Sequence, residues 1–210
     1  MWLGNFKIEY MYTLSLPHRE DRRAALQLQI RTHKNLKHAY VYGDTPSAVG
    51  SCQTPPECCL MGWVKMVRAA VAFPALFTED DIDLHMHFDP LLIPNSSGIL
   101  SIAAGNCRVK NCSRPRWMLP RRRPPYTYGT IAIVITDSVA ASEFVSHVLS
   151  KRTRRWSHID GKLYLGNIST VSILCPPLFS WTSSFSDILH SVRRFSVECH
   201  TPNNTRTSNL

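Results

Sequence analysis

Glu79, Asp80, Asp81 and Asp83 place four carboxylates within five residues, directly behind the apolar run 72–78. Crowding them costs roughly 1 kcal/mol of repulsion per close pair even in bulk water, and a bound divalent cation would remove that cost. Hard carboxylate oxygens suit Mg²⁺ or Mn²⁺, held by one or two side chains and completed by substrate phosphates. A solvated turn that caps the next element explains the same residues without any ligand. Two features favour the cation: the preceding run is strongly apolar, and the chain as a whole is basic. Its net charge is +9, from 24 Lys and Arg against 15 Asp and Glu. His85 and His87 alternate with Leu84, Met86 and Phe88, and are either additional ligands or the wet face of a strand.

A second charged group is Leu16-Pro17-His18-Arg19-Glu20-Asp21-Arg22-Arg23. Three arginines at a strand-to-helix junction, beside helix-start amides, make an anion cradle. The bland reading has Glu20 and Asp21 capping the helix with the arginines in water. Neither G-x-G-x-x-G nor a P-loop is present, which disfavours Rossmann dinucleotide and Walker-type nucleotide binding. Further basic clusters lie at Arg114, Arg116, Arg121, Arg122 and Arg123, and at Lys151, Arg152, Arg154 and Arg155. Such clusters attract nucleic acid or phosphate-bearing small molecules, or are simply solvated. Without a recognisable nucleic-acid module, nucleic acid is the disfavoured partner. The seven cysteines include Cys107 with Cys112 and the adjacent Cys58 and Cys59, but no second half with zinc-ligand spacing. Reduced thiols are the expectation in a chain that is 44% hydrophobic and needs no staples.

The elements that must position these groups follow from hydrophobic periodicity. Residues 8–16 predict a buried strand ending at Pro17. A helix from Glu20 to about Lys34 carries Ala24, Ala25 and Leu28 on one face, and residues 38–43 form a second strand. This β-α-β unit predicts a parallel pair. Residues 44–57 are loop, and a helix runs from Glu57 to about Val71 with Pro56 before its first turn. Strands are predicted over 72–78, 99–104, 129–136 and 170–174, with a helix from Asp137 or Ser138 to about Ser150. Residues 105–126, rich in Arg and Pro, break the rhythm as a loop excursion. Strands alternating with helices predict a three-layer α/β/α domain with a mixed, mainly parallel sheet. It would span residues 1–196, followed by a polar tail, 197–210. No apolar run approaches the ~20 residues of a membrane helix. Lys7 and Glu9 interrupt any signal-peptide core. The expected location is therefore cytoplasmic, and the sequons at Asn95, Asn111, Asn167 and Asn203 are read as accidents of composition.

Residues 10–23, Y-x-Y-x-L-S-L-P-H-R-x-D-R-R, resemble the opening Y-V-I-N-L-x-x-R-x-D-R-R of family 25-type glycosyltransferases, the lipooligosaccharide and collagen galactosyltransferase group. Phe77-Thr78-Glu79-Asp80-Asp81-Ile82 is similar to that family's L-x-L-E-D-D-V, its form of the D-x-D metal motif. Residues 128–135 are similar to its G-T-x-A-Y-x-I-S strand. Ile159-Asp160, Pro176-Pro177-Leu178 and Phe185-Ser186-Asp187-Ile188 resemble its closing V-D, P-P-L and S-D-I elements. Order and spacing hold over roughly residues 8–188. The chain also resembles the small glycosyltransferase domains encoded by chlorella-infecting viruses, and for a viral protein the expected location is the host cytoplasm. One departure stands out: where the family has G-C-x-x-S-H, this chain has Cys59-Leu60-Met61-Gly62-Trp63.

The resemblance implies a GT-A-type nucleotide-binding domain. Its activity would be transfer of a sugar from a nucleoside diphosphate, usually a UDP-sugar, to a hydroxyl of a glycan or glycoprotein acceptor, assisted by Mn²⁺ or Mg²⁺. A divalent cation stabilises the charge that develops on a departing diphosphate. On this reading Glu79 and Asp81 are the metal-side pair, with Asp83 in reserve, and Asp80 faces the donor ribose or sugar. Thr13, Leu14 and Ser15 meet the base and ribose, and Arg19 and Arg22 lie on the loop side of the nucleotide. For an inverting reaction the acceptor base is Asp160, matched to the family's V-D position, with Asp187 second; His158 or His190 would complete the metal shell. Retention and inversion both stay open. Two other classes compete: a basic nucleic-acid-binding module, and a glycosyltransferase-like domain that has lost activity and serves in interactions.

Overall fold

In the computed structural model, the residues described are 1–47, 50, 52–86, 88–103, 114–119, 132–150, 158–165, 171–175, 177–181, 185–186 and 191–192. An N-terminal hairpin, β1 (Trp2–Leu3) and β2 (Phe6–Lys7), precedes β3 (Tyr10–Ser15), α1 (Glu20–Ile30), β4 (Lys37–Tyr42), α2 (Pro55–Arg68) and β5 (Ala75–Glu79). Then follow β6 (Ile82–Asp83), a 3-10 turn (Pro90–Leu92), β7 (Ile99–Ala103), β8 (Arg116–Met118), β9 (Ala132–Ile135) and α3 (Ser138–Leu149). A π-helical turn (Gly161–Leu165) leads to β10 (Val171–Cys175) and the short strands β11 (Ser180–Trp181), β12 (Phe185–Ser186) and β13 (Ser191–Val192).

Seven strands form one sheet in the order β4-β3-β5-β9-β7-β10-β8. β3 pairs in parallel with β4 and β5, and β7 with β10, whereas β9 is antiparallel to β5 and β7, and β8 to β10. Only β9 and β8 therefore run against the other five, so the sheet is mixed and mainly parallel. Its central strands are near-continuous apolar runs because helices cover both faces. On one face α2 and α3 bury Trp63, Val67, Phe144 and Val148 against Tyr12, Phe77 and Ile133. On the other, α1 buries Leu26 and Ile30 against Met11, Leu76 and Val134. The three layers follow from that alternation along each strand.

Several boundaries differ from the sequence reading. α2 begins at Pro55 because prolines fit a first turn whose N–H groups have no intrahelical acceptor. It ends at Arg68, with Lys65 and Arg68 beside its carbonyl end. α1 stops at Ile30, where a turn bonds His33 N–H to the Ile30 carbonyl. Ile82–Asp83 pairs with Ser180–Trp181, whereas 84–86 and 88 are in no strand, and His87 lies outside the described residues. Within the supposed excursion, Arg116–Met118 joins the main sheet as an edge strand against β10. Cys52 and Cys58 are joined in a disulfide, which corrects the expectation of reduced thiols at these two positions. The loop before α2 folds back onto the helix's first turn and brings the two Cα atoms within 5.0 Å. Among the described residues no helix is long and apolar enough to cross a membrane.

A buried polar chain links three neighbouring strands beneath α1. Thr13 Oγ1 stands 2.9 Å from both Thr78 Oγ1 and the His38 ring. Burial pushes the His38 pKa down to about 4 from 6.5, so the fold accepts only the neutral ring. The unfolded chain then binds more protons between those values, and stability rises with pH across the window. The contribution is complete above pH 6.5 and lost as pH falls to about 4. Allowing for the partly exposed ring, it amounts to about 1–2 kcal/mol. His33 and His147 are shifted in the same direction by burial. The test is therefore comparative: the melting temperature of His38→Gln should fall less steeply between pH 6.5 and 4.5 than that of the wild type. Parallel slopes would remove His38 from the pH response.

Candidate functional site

The site forms where the carboxyl ends of β3 and β5 lie side by side, the edge at which open α/β sheets bind ligands. Their parallel register sets Thr13 opposite Thr78 and Leu14 opposite Glu79. Alternation then decides which way each acid points. Asp80 reaches to the α1 face, where Ser15 Oγ donates to its Oδ2 at 2.6 Å and Arg22 Nη1 to its Oδ1 at 3.0 Å. Glu79 reaches to the α2 face, where Trp63 Nε1–H donates to its Oε1 at 3.1 Å and the Cys59 thiol to the same oxygen at 3.5 Å. Asp81 is buried between them, its Oδ2 3.8 Å from Arg22 Nη1.

The Cys59 thiol reports the field in this corner. Its pKa is pushed well up, first by burial and then by the nearby charges of Glu79, Asp160 and Asp81. Asp160, half-buried just before the π-helical turn, thus belongs to the same neighbourhood as the acid pair, although 80 positions of sequence intervene. These three carboxylates all act on the Cys59 thiol, while Arg22 makes its closer contact with Asp80. Hard oxygens in excess over cations suit Mg²⁺ or Mn²⁺. Among the described residues no three acidic, His or Cys side chains are gathered closely enough to hold a metal ion by themselves. A cation here would therefore take much of its shell from phosphate oxygens and water, which is the usual habit of Mg²⁺.

The junction arginines are built into the loop. Arg19 makes a two-pronged bond to Asp21 at 3.0 Å on both oxygens, and this bond holds the Asp21 carboxyl down at about 2. Arg23 donates to Ser15 Oγ and to the carbonyls of Leu16 and Pro17, and its guanidinium lies over the Tyr42 ring. They shape the start of α1 and the tip of β3, so the cradle is made of arginines already holding protein oxygens. Thr13 and Leu14 are buried. The Leu14 methyls occupy the space beside Gly62, where an added Cβ would come within 2.7 Å of Leu14 Cδ1. Asp83 lies past the turn on β6 and binds the backbone N–H and ring of His85. His158 is exposed. Asp187 and His190 lie outside the described residues, as do 121–123 and 151–155. Sequence reasoning passed over Trp63 and His38: an apolar helix face and a strand pattern conceal hydrogen bonds made across the fold.

The mixed seven-stranded sheet with helices on both faces is a three-layer α/β fold. Three chains of solved structures match the protein. One of them is the "crystal structure of a glycosyltransferase involved in the glycosylation of the major capsid of PBCV-1". The match covers 83% of this chain and 93% of that one, with a TM-score of 0.50 and 8% sequence identity, so the likeness is one of fold. No protein-family model and no curated protein matches the sequence.

Proposed function

We propose that the protein is a glycosyltransferase that moves a sugar from a UDP-sugar, with Mn²⁺ or Mg²⁺, to a hydroxyl of a glycan or glycoprotein. The observation that carries this reading is the split of consecutive acids at the ends of β3 and β5. Asp80 is clamped by Ser15 and Arg22 on one side, Glu79 turns to the other toward Trp63, and Asp81 is buried with its Oδ2 3.8 Å from Arg22 Nη1. A purely capping acidic turn has no reason to bury Asp80 and Asp81 and half-bury Glu79 against a strand end. The similarity of fold to a glycosyltransferase involved in capsid glycosylation and the motif order over residues 8–188 support the same class.

When bound, the divalent cation would neutralise charge on the departing diphosphate. The chain's own residues do the rest. Glu79 and Asp81 supply the cation's protein oxygens. Asp80, fixed by Ser15 and Arg22, presents a carboxylate edge to a ribose or sugar hydroxyl. Asp160 lies within the same corner and takes the acceptor hydroxyl's proton if the reaction inverts; Asp187 is the second choice for that role. A thermal-shift panel of UDP, GDP, CDP and ADP, each with and without Mn²⁺, tests the class. UDP with Mn²⁺ should raise the melting temperature selectively, since stabilisation reaches about 2.7 kcal/mol at a hundredfold excess over the dissociation constant. Silence toward every nucleotide sinks the proposal, and salt-dependent retention on RNA or DNA in its place would favour the nucleic-acid module.

A further inference from the structure

We infer that Trp63 is a positioning residue that aims Glu79 at the cation; the inference rests on the proposed function and adds to it a residue that no motif match assigns. Trp63 is fully buried, with its ring 6.4 Å from that of Phe144 on α3. A buried indole N–H needs an acceptor, and here the acceptor is Glu79 Oε1 at 3.1 Å. The Cys59 thiol, one helical turn earlier on the same face of α2, donates to that oxygen as well. Glu79 ends β5, where the ladder with β3 stops. Two donors from one rigid helix hold Oε1 and so set the direction of the carboxylate. Beside Trp63, the Leu14 methyls fill the space that a Cβ on Gly62 would take. The Gly62-Trp63 pair stands where the related motif has Ser-His, and its large member supplies the N–H. Groups that orient a metal-binding carboxylate in this way are typically worth 10–100-fold in metal affinity.

The experiment measures Mn²⁺ binding in the presence of UDP, by electron paramagnetic resonance of the free ion. It compares the wild type with Trp63→Phe, Trp63→His, Glu79→Gln and the double variant Trp63→Phe/Glu79→Gln. Calorimetry of UDP without metal runs alongside. Trp63→Phe keeps the ring and loses the N–H, so Mn²⁺ affinity should fall about tenfold or more while metal-free UDP affinity stays level. Trp63→His, which restores an N–H, should recover much of the loss. The double variant should bind no worse than Glu79→Gln, because both changes remove one interaction. A general packing defect would lower both affinities together and would not respond to histidine, and that result overturns the inference. So does wild-type Mn²⁺ affinity in Trp63→Phe. A folding failure of the phenylalanine variant leaves a measurement on the wild type: in ¹⁵N spectra, the Trp63 indole resonance, assigned through its absence in Trp63→His, should shift when Mg²⁺ and UDP are added together. An indole that ignores them rejects the role. If the wild type binds neither UDP nor Mn²⁺, the proposed function itself fails; if it binds both and Trp63→Phe matches it, only the role of Trp63 falls.

Discussion

Asp81→Asn is expected to lower Mn²⁺-dependent UDP release from UDP-sugars by about a thousandfold, with little change in melting temperature. The size follows from what the carboxylate is asked to supply. Metal-assisted charge stabilisation is worth several kcal/mol in the transition state, and each 1.36 kcal/mol is a factor of ten. Asp81 is the buried acid of the pair, set between the Arg22 side and the Glu79–Asp160 side. An amide of the same shape keeps one oxygen but loses the charge that draws a cation into the corner. The fold should tolerate the change, because asparagine relieves repulsion from Glu79 and Asp80 while Arg22 keeps its closer contact with Asp80. Steady-state assays across Mn²⁺ concentrations should show the loss at saturating metal as well as a weaker response to it. A loss of less than tenfold would remove Asp81 from the mechanism. An inactive wild type that still binds UDP would favour the interaction-domain reading.

Asp80→Ala should act on stability as well as turnover, costing about 2–4 kcal/mol of folding free energy. The Asp80 carboxylate and the Arg22 guanidinium are both largely buried, 3.0 Å apart, and Ser15 donates to the same carboxylate. Deleting one member of a buried pair leaves the other's desolvation uncompensated, which typically costs 3–5 kcal/mol. Asp81, 3.8 Å from the same guanidinium, offsets part of that here. For a chain of this length the loss corresponds to a drop in melting temperature of roughly 5–15 °C. The double variant Arg22→Met/Asp80→Ala separates the pair's worth from the penalty of stranding a charge. It should be more stable than the sum of the two single losses implies. Strict additivity would mean that the two side chains act independently, contrary to the geometry.

The parts of this protein that sequence alone determines are those governed by local periodicity. β3, β5, β7 and β9 are legible as apolar runs because each strand is buried on both faces. The β3–α1–β4 unit follows from the switch between periods at Pro17, and α3 starts where Asp137 accepts the Ala140 N–H. The crowding of Glu79, Asp80, Asp81 and Asp83 is likewise visible as charge placed where charge is costly. Tertiary structure decides what those acids do. Ser15 and Asp80 are 65 positions apart, and their meeting depends on the register of β3 on β5. That same register, through the two-residue repeat of a strand, sends Glu79 to α2 and Asp80 to α1. The Cys52–Cys58 bridge, the edge strand inside the Arg/Pro-rich segment and the joint action of Asp160 and Glu79 on Cys59 all come from chain segments folding onto surfaces that other segments made. Trp63 shows the reason most plainly. Its apolar ring fits the helix pattern, but the partner of its single N–H is set by where α2 lies against the end of β5.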